Sequence, residues 1–392
     1  MVLLLETHEW VFFAPVSYSR FLWDISLGVW TPYERAKEEF GEVRVWSPRF
    51  EQDVWKALAR KGYASKDDDF FLVLNPQYVY PVGFQFERGL GITPEGKWVY
   101  LCGENLTEDV RRALEGQNVN WLAHQFSTRE VSTGIYYRDV ADLVNRQESV
   151  LHFYEPYFEH HNDFVSLQKG VYVHRSATID PYVVWHAENG MIVVDCETKV
   201  RAFSIVDGPT YIGKQSLVDS GRIREATTIR DHCKIGGEVE WSIVESYSNK
   251  HHEGFLGHSY VGSWVNIGAM ATTSDLKNNY RPVVIRRREG EVDTRTNKFG
   301  SVISDFVKIG IGIMLNTGTV IEPGCNIFIE DGSVQVEKYM PAFSWGRKGR
   351  YEWEKFYRDL TTMMRRRNYK PPQGYETFLR GLYGYLISSE EV

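Results

Sequence analysis

Three aliphatic-glycine pairs, Leu256-Gly257, Val261-Gly262 and Ile267-Gly268, follow one another at steps of five and six residues. That rhythm constrains the fold more than any other feature of the chain. A hexapeptide-repeat solenoid has triangular coils. One aliphatic side chain per side points inward, and glycine or another small residue stands where a corner leaves no room. The same steps run through Val173, Ile179, Val184, Ile212, Val218, Ile223, Ile229 and Ile235, so the spacing predicts a β-helix over residues 171–346.

Upstream, residues 1–150 alternate short apolar runs, at Val2–Leu5, Val43–Trp46 and 70–74, with helical patterns at 33–40, 52–61 and 106–115. Such alternation predicts a small α/β domain with a mostly parallel sheet. The apolar start has neither a basic segment nor a small-residue cleavage site and reads as a buried first strand. Residues 118–165, dense in aromatics from Trp121 to Phe158, read as helix, with 151–170 an aromatic linker. The adjacent His160 and His161 point apart in any regular conformation, which favours structural use over a metal site. Residues 347–392 read as a C-terminal helical segment, in which Trp353, Phe356, Leu360 and Met363 or Met364 share one face.

Composition narrows the function. A chain of 392 residues, 43% hydrophobic, suits about two packed domains. No run approaches a membrane span, and a net charge of −7 argues against nucleic acid despite Arg286-Arg287-Arg288 and Arg365-Arg366-Arg367. Cys102, Cys196, Cys233 and Cys325 lie too far apart for a disulfide framework or zinc site, so a reducing cytoplasm is expected.

The words Tyr247-Ser248-Asn249-Lys250, His252, Gly254-Phe255-Leu256-Gly257, Leu276-Lys277-Asn278-Asn279-Tyr280, Asn316-Thr317-Gly318-Thr319-Val320 and Phe343-Ser344-Trp345-Gly346 carry a resemblance. Over residues 205–350 the chain resembles the acyltransferase domain of the bifunctional N-acetylglucosamine-1-phosphate uridylyltransferase/glucosamine-1-phosphate N-acetyltransferases, in particular their divergent bacterial branch. The resemblance implies a left-handed parallel β-helix behind a nucleotidyltransferase-like head, assembled as a homotrimer. It implies acetyl transfer from acetyl-CoA to glucosamine-1-phosphate in UDP-N-acetylglucosamine biosynthesis. His252 would be the general base, since a neutral imidazole can take a proton from the attacking amine near pH 7, with Glu238 orienting substrate or base. Arg222 would clamp the sugar phosphate, Asn266, Asn279 and Tyr280 would hold sugar hydroxyls and phosphate, and Lys250 and Lys298 would add positive charge. The residues alone leave other uses open. Arg222 and Arg224 flank the inward Ile223 and point outward, where either could pair with Glu225 or Glu238; His251 could act in place of His252; Asn266 could stack in a ladder.

Pro15-Val16-Ser17-Tyr18-Ser19-Arg20, followed by Asp24, Ile25 and Gly28, is similar to the motif that opens the family's nucleotidyltransferase head. On that likeness Ser17, Ser19, Arg20 and Asn75 would face UTP, with Mg2+ needed if the head is active. Two features oppose it. Residues 5–20 contain no glycine to bring backbone N–H groups against a triphosphate, and the run 70–74 ends in Asn75, a poor ligand for a hard dication. The Asp67-Asp68-Asp69 run reads as a solvated turn. The alternatives are a nucleotidyl- or acyltransferase for another sugar and a non-catalytic trimeric scaffold that binds sugar or nucleotide. Residues 281–296 read as a hairpin arm, whose arginines suit coenzyme A phosphates, a partner's acid or plain solvation.

Overall fold

The computed structural model describes residues 2–51, 72–103 and 106–388; the expected helix at 52–61 and the acidic run 67–69 lie outside them. The chain divides into two compact units. Met1–Phe13, Arg20–Arg138 and Met364–Val392 form one, and Ala14–Ser19 with Asp139–Met363 forms the other.

In the first unit a six-stranded sheet runs Val43–Trp46, Val2–Leu5, Leu72–Leu74, Trp98–Cys102, Gly89–Ile92, Thr128–Glu130. Three of its five pairings are parallel, so the mostly parallel sheet is present with an antiparallel centre. Val2–Leu5 is buried throughout, as a strand covered on both faces must be. Helix Pro32–Phe40 opens with a capping box between Thr31 and Glu34 and stops at Gly41, φ 78°, a conformation glycine adopts without strain. The continuous helix expected over 118–165 is broken. Helix Val119–Gln125 gives way to strands Thr128–Glu130 and Ile135–Tyr136 before helices resume at Val140–Asn145. The Thr, Val and Gly of residues 128–134 favour extended and turn backbone over helix.

Glu6 directly follows strand Val2–Leu5 and has no solvent exposure. Its carboxylate accepts from Arg49 at 2.6 and 2.9 Å, from Ser47 Oγ at 2.5 Å and from the backbone N–H of Leu22 at 2.7 Å. A buried charge is tolerable only when paired and hydrogen-bonded as fully as this.

The second unit is the β-helix. Ten-stranded sheets form two of its faces and a five-stranded sheet the third. Parallel register stacks Val194, Ile212, Ile229, Val244, Val261, Ile303, Ile321 and Met340 in one inward column, all buried. Each contributes about 1.5–3 kcal/mol of apolar burial. Val184, expected to point inward, is 44% exposed, and its neighbours Val183 and Trp185 pack on the core instead. The coil register in this first turn is displaced by one residue, which exchanges inward and outward side chains.

The hairpin is present, pairing Val284–Arg287 with Gly290–Asp293, and it lies on its own unit. Arg288 meets the buried Glu322 at 2.8 Å, Arg287 donates to the Ala14 carbonyl at 3.1 Å, and Tyr18 donates to Glu289. Arg295 forks onto Asp139 and Asp142 at 2.7–3.0 Å. Arg287, Arg288 and Arg295 are thus engaged within the chain. Helix Trp353–Arg366 buries Trp353, Phe356, Leu360 and Met364 as its spacing predicted. Phe356 packs edge-on to Phe343 and Phe306, covering coil corners.

Replacing Arg49 with Met strands the Glu6 carboxylate in an apolar interior. Urea unfolding is expected to show a loss of about 3–5 kcal/mol.

Candidate active site

On the third face the strands Arg222–Ile223, Glu238–Glu240 and Phe255–Gly257 lie in parallel register, with Arg222 opposite Glu238, Glu238 opposite Phe255 and Glu240 opposite Gly257. Ile223, Val239 and Leu256 point inward and are buried. Their neighbours on either side therefore face outward. Immediately after this face the chain turns a corner at Ala226, Trp241 and His258, whose φ values are 52°, 46° and 44°. Left-handed backbone costs a non-glycine residue about 1–2 kcal/mol. Coil-to-coil hydrogen bonds hold it there: Trp241 N–H to Glu225 O at 2.9 Å, His258 N–H to Glu240 O at 3.1 Å and Gly300 N–H to His258 O at 2.9 Å.

This corner assembles four titratable side chains. His258 Nδ1 lies 2.8 Å from Asp275 Oδ2 and 3.6 Å from Glu240 Oε1, and Lys298 Nζ lies 3.7 Å from the same Glu240 oxygen. Gly257 makes the room, because a Cβ there would meet the Phe255 ring at 2.3 Å and the Asp275 carboxylate at 3.0 Å. Burial alone would raise the Asp275 carboxyl. The close approach and charge of His258, with Lys298 behind, outweigh that and hold it below the usual carboxylate range. Both carboxylates lie on the Nδ1 side of the ring, so Nε2 is the ring nitrogen not committed to them. In its neutral form an imidazole so placed can act as a general base. Ligand atoms of Glu240, His258 and Asp275 also lie within 4.8 Å of one another, a spacing a cation could share. The Lys298 ammonium answers the same negative charge.

Two other histidines carry an aspartate at 2.8 Å: His186 with Asp207 and His251 with Asp219. In both, an arginine already meets the carboxylate, Arg224 at 2.9 Å and Arg201 at 3.2 Å, and both histidines are far more exposed. His258 is the one that is buried, flanked by two carboxylates and stacked on an aromatic ring.

Of the residues expected to act, Lys298 stands in this cluster. Glu238 lies one position along the strand from Glu240's neighbour Val239 and pairs with Arg222 at 3.3 Å, so Arg222 takes the ion-pair use. His252 is exposed, beside His251 with ring centroids 5.0 Å apart. Lys250 corrects an expectation outright. It is 1% exposed, in register with the inward Ile235, and its ammonium donates to the Gly236 and His252 carbonyls. Burial pushes it down to about 8, and it braces the coil interior out of a substrate's reach. Asn249 donates to Asn266 at 3.4 Å across adjacent coils, the ladder arrangement. Asn279 accepts from the Arg281 N–H at 3.2 Å within a turn, and Tyr280 is exposed at φ 55°.

The expected nucleotide residues are engaged elsewhere. Ser17 is fully buried, and Ser19 Oγ donates to Asp305 of the β-helix at 2.7 Å. Arg20 donates to the Asp24 carbonyl at 3.1 Å. Asn75 donates to the Trp98 carbonyl at 3.0 Å and accepts from the Gln77 N–H at 3.0 Å. These residues do not fit a magnesium site, since the side-chain oxygen at position 75 is a neutral acceptor already in use.

His258 and Asp275 were missed by sequence reasoning, although a signal was available. His258 directly follows the family word ending in Gly257, and Trp241 stands one coil earlier at the same corner.

No protein-family profile matches the chain. An uncharacterized acetyltransferase, YaiX, of Escherichia coli O6:K15:H31 is 25% identical over 171 residues, 43% of this chain and 73% of that protein. The bifunctional protein GlmU of a Jannaschia species is 28% identical over 162 residues, 41% of this chain and 34% of that protein. GlmU of Methanococcus aeolicus is 30% identical over 109 residues, 27% of this chain and 26% of its own length. The chain thus spans about a third of one of these GlmU proteins and about a quarter of the other. No helix among the described residues is long and apolar enough to cross a membrane.

Asp275 titrates below its unfolded value, so it adds stability above the ordinary carboxylate pKa, and this is lost as pH falls through the lower folded value. The stability advantage of the wild type over Asp275→Asn is expected to shrink below about pH 4, read from thermal melts between about pH 3 and pH 5.

Proposed function

We propose that this chain is a sugar N-acetyltransferase that moves the acetyl group of acetyl-CoA to the amine of an amino-sugar phosphate, with glucosamine-1-phosphate as the first acceptor to test. The observation that carries this reading is the His258 cluster, one buried imidazole between two carboxylates with an ammonium alongside. The similarity to YaiX and GlmU supports it. His258 Nε2 accepts a proton from the amine as nitrogen attacks the thioester carbonyl. A C–N bond forms, the C–S bond breaks, and the departing thiolate of coenzyme A takes a proton. Asp275 and Glu240 stabilise the imidazolium formed on the way. Such general-base assistance contributes typically 10²–10⁴-fold.

The reading includes association of copies as a homotrimer in the cytoplasm. Exposed Tyr182, Phe203, Met270 and Ile311 on the β-helix are apolar surface of the kind that contacts between copies cover. Uridylyl transfer is left out of it, because Ser19 and Asn75 are committed to the chain's own hydrogen bonds.

Thiol release from acetyl-CoA with glucosamine-1-phosphate tests the proposal. His258→Ala is expected to lower kcat by at least about 100-fold, while His252→Ala stays within about threefold. A fully active His258→Ala enzyme would sink the general-base role of His258, and a wild type without turnover on amino-sugar phosphates would sink the proposal.

A further inference from the structure

The ring of Trp241 lies parallel to the imidazole of His258, with an interplanar angle of 6° and centroids 5.5 Å apart. Both residues stand at the same left-handed corner in consecutive coils, so the stack follows from coil pairing. Two further contacts show that the indole is itself fixed. Its Nε1–H donates to the Val144 carbonyl at 3.1 Å, in helix Val140–Asn145. That helix also receives the Arg295 fork on Asp139 and Asp142, and Asn145 donates to the Thr294 carbonyl at 2.7 Å. Thr294 and Arg295 precede Lys298 in the segment that follows the returning strand Gly290–Asp293. One short helix therefore braces both sides of the cluster, the indole under His258 and the root of the segment that delivers Lys298.

We infer that Trp241 is a positioning residue for the reaction, fixing the plane of the His258 imidazole from a ring anchored to Val144. The inference rests on the acetyltransferase reading. The contacts of His258 Nδ1 with Asp275 and Glu240 fix one ring nitrogen, but rotation of the imidazole plane about that region would still move Nε2. A parallel aromatic face closes that freedom. Offset stacking of two rings is favourable by itself, and a misplacement of about 1 Å at a reacting atom can cost about 100-fold in rate. The group acts through His258 and needs no contact with substrate.

The test is a double-mutant cycle on acetyl transfer, with Trp241→Leu and His258→Ala made singly and together. Trp241→Leu is expected to lower kcat about tenfold with KM within about twofold, and to have no further effect in the His258→Ala background. A purely structural role would lower the rate equally in both backgrounds, and that result would overturn the inference, as would an unchanged kcat or a loss confined to KM. If Trp241→Leu does not fold, Trp241→Phe carries the same cycle. It keeps an aromatic face and lacks the N–H to Val144, so a loss of about threefold is expected, again absent without His258; no loss, or an equal loss in both backgrounds, would overturn it. Full activity of His258→Ala would instead remove the general-base assignment, and a wild type without turnover would remove the acetyltransferase reading, so these failures are told apart from that of the inference.

Discussion

Every feature of the candidate site depends on the left-handed corner of the coil. Parallel pairing between coils satisfies the backbone on each face, and at the corners it holds non-glycine residues at positive φ that they would otherwise avoid. Such a corner throws its side chain outward. Coils repeat at about 4.8 Å, so side chains at one corner must stack. His232, Tyr247 and Trp264 do so at 4.4 and 4.3 Å, and Trp241 with His258 at 5.5 Å. The first of these columns is a stack of ring side chains. The second has two carboxylates delivered to it, and there the same geometry becomes a site.

The aliphatic-glycine steps made the β-helix legible, because an inward column is a direct consequence of spacing. Corner positions leave no such trace. The step between register partners varies, from Thr228 opposite Ile243 to Ile243 opposite Tyr260, so which residue lands on a corner is settled by pairing across coils. His258 was therefore hidden, and the exposed His252 drew attention by its place in a familiar word. Lys250 was readable. It occupies the inward slot in line with Ile235, and a lysine in such a slot must bury its stem and find carbonyls for its head.

The nucleotide-binding expectation for Ser17 and Ser19 failed for a different reason. A short motif reports local chemistry and says nothing of which body it packs against. Residues Ala14–Ser19 belong to the β-helix unit, where Ser19 meets Asp305 and Tyr18 meets Glu289. A serine hydroxyl used in that way cannot also be a phosphate donor. The absence of glycine from residues 5–20 was the sequence signal pointing the same way.

The hairpin explains why the cluster lies where it does. The inward column passes directly from Val261 to Ile303, so the chain between leaves the solenoid and returns without breaking its core. Insertions of this kind cost the solenoid little, since the coils above and below still pair. Residues at the two ends of the excursion are then brought side by side. Leu276 pairs with Lys298, and the Phe299 N–H donates to the Asp275 carbonyl at 2.7 Å. Asp275 at the exit and Lys298 at the return thus face Glu240 and His258 because the ladder closes beneath them. A regular coil has no means of placing an acid and a base from such distant sequence beside one corner. The interruption supplies that means, and it does so at the corner where an imidazole is already stacked and held.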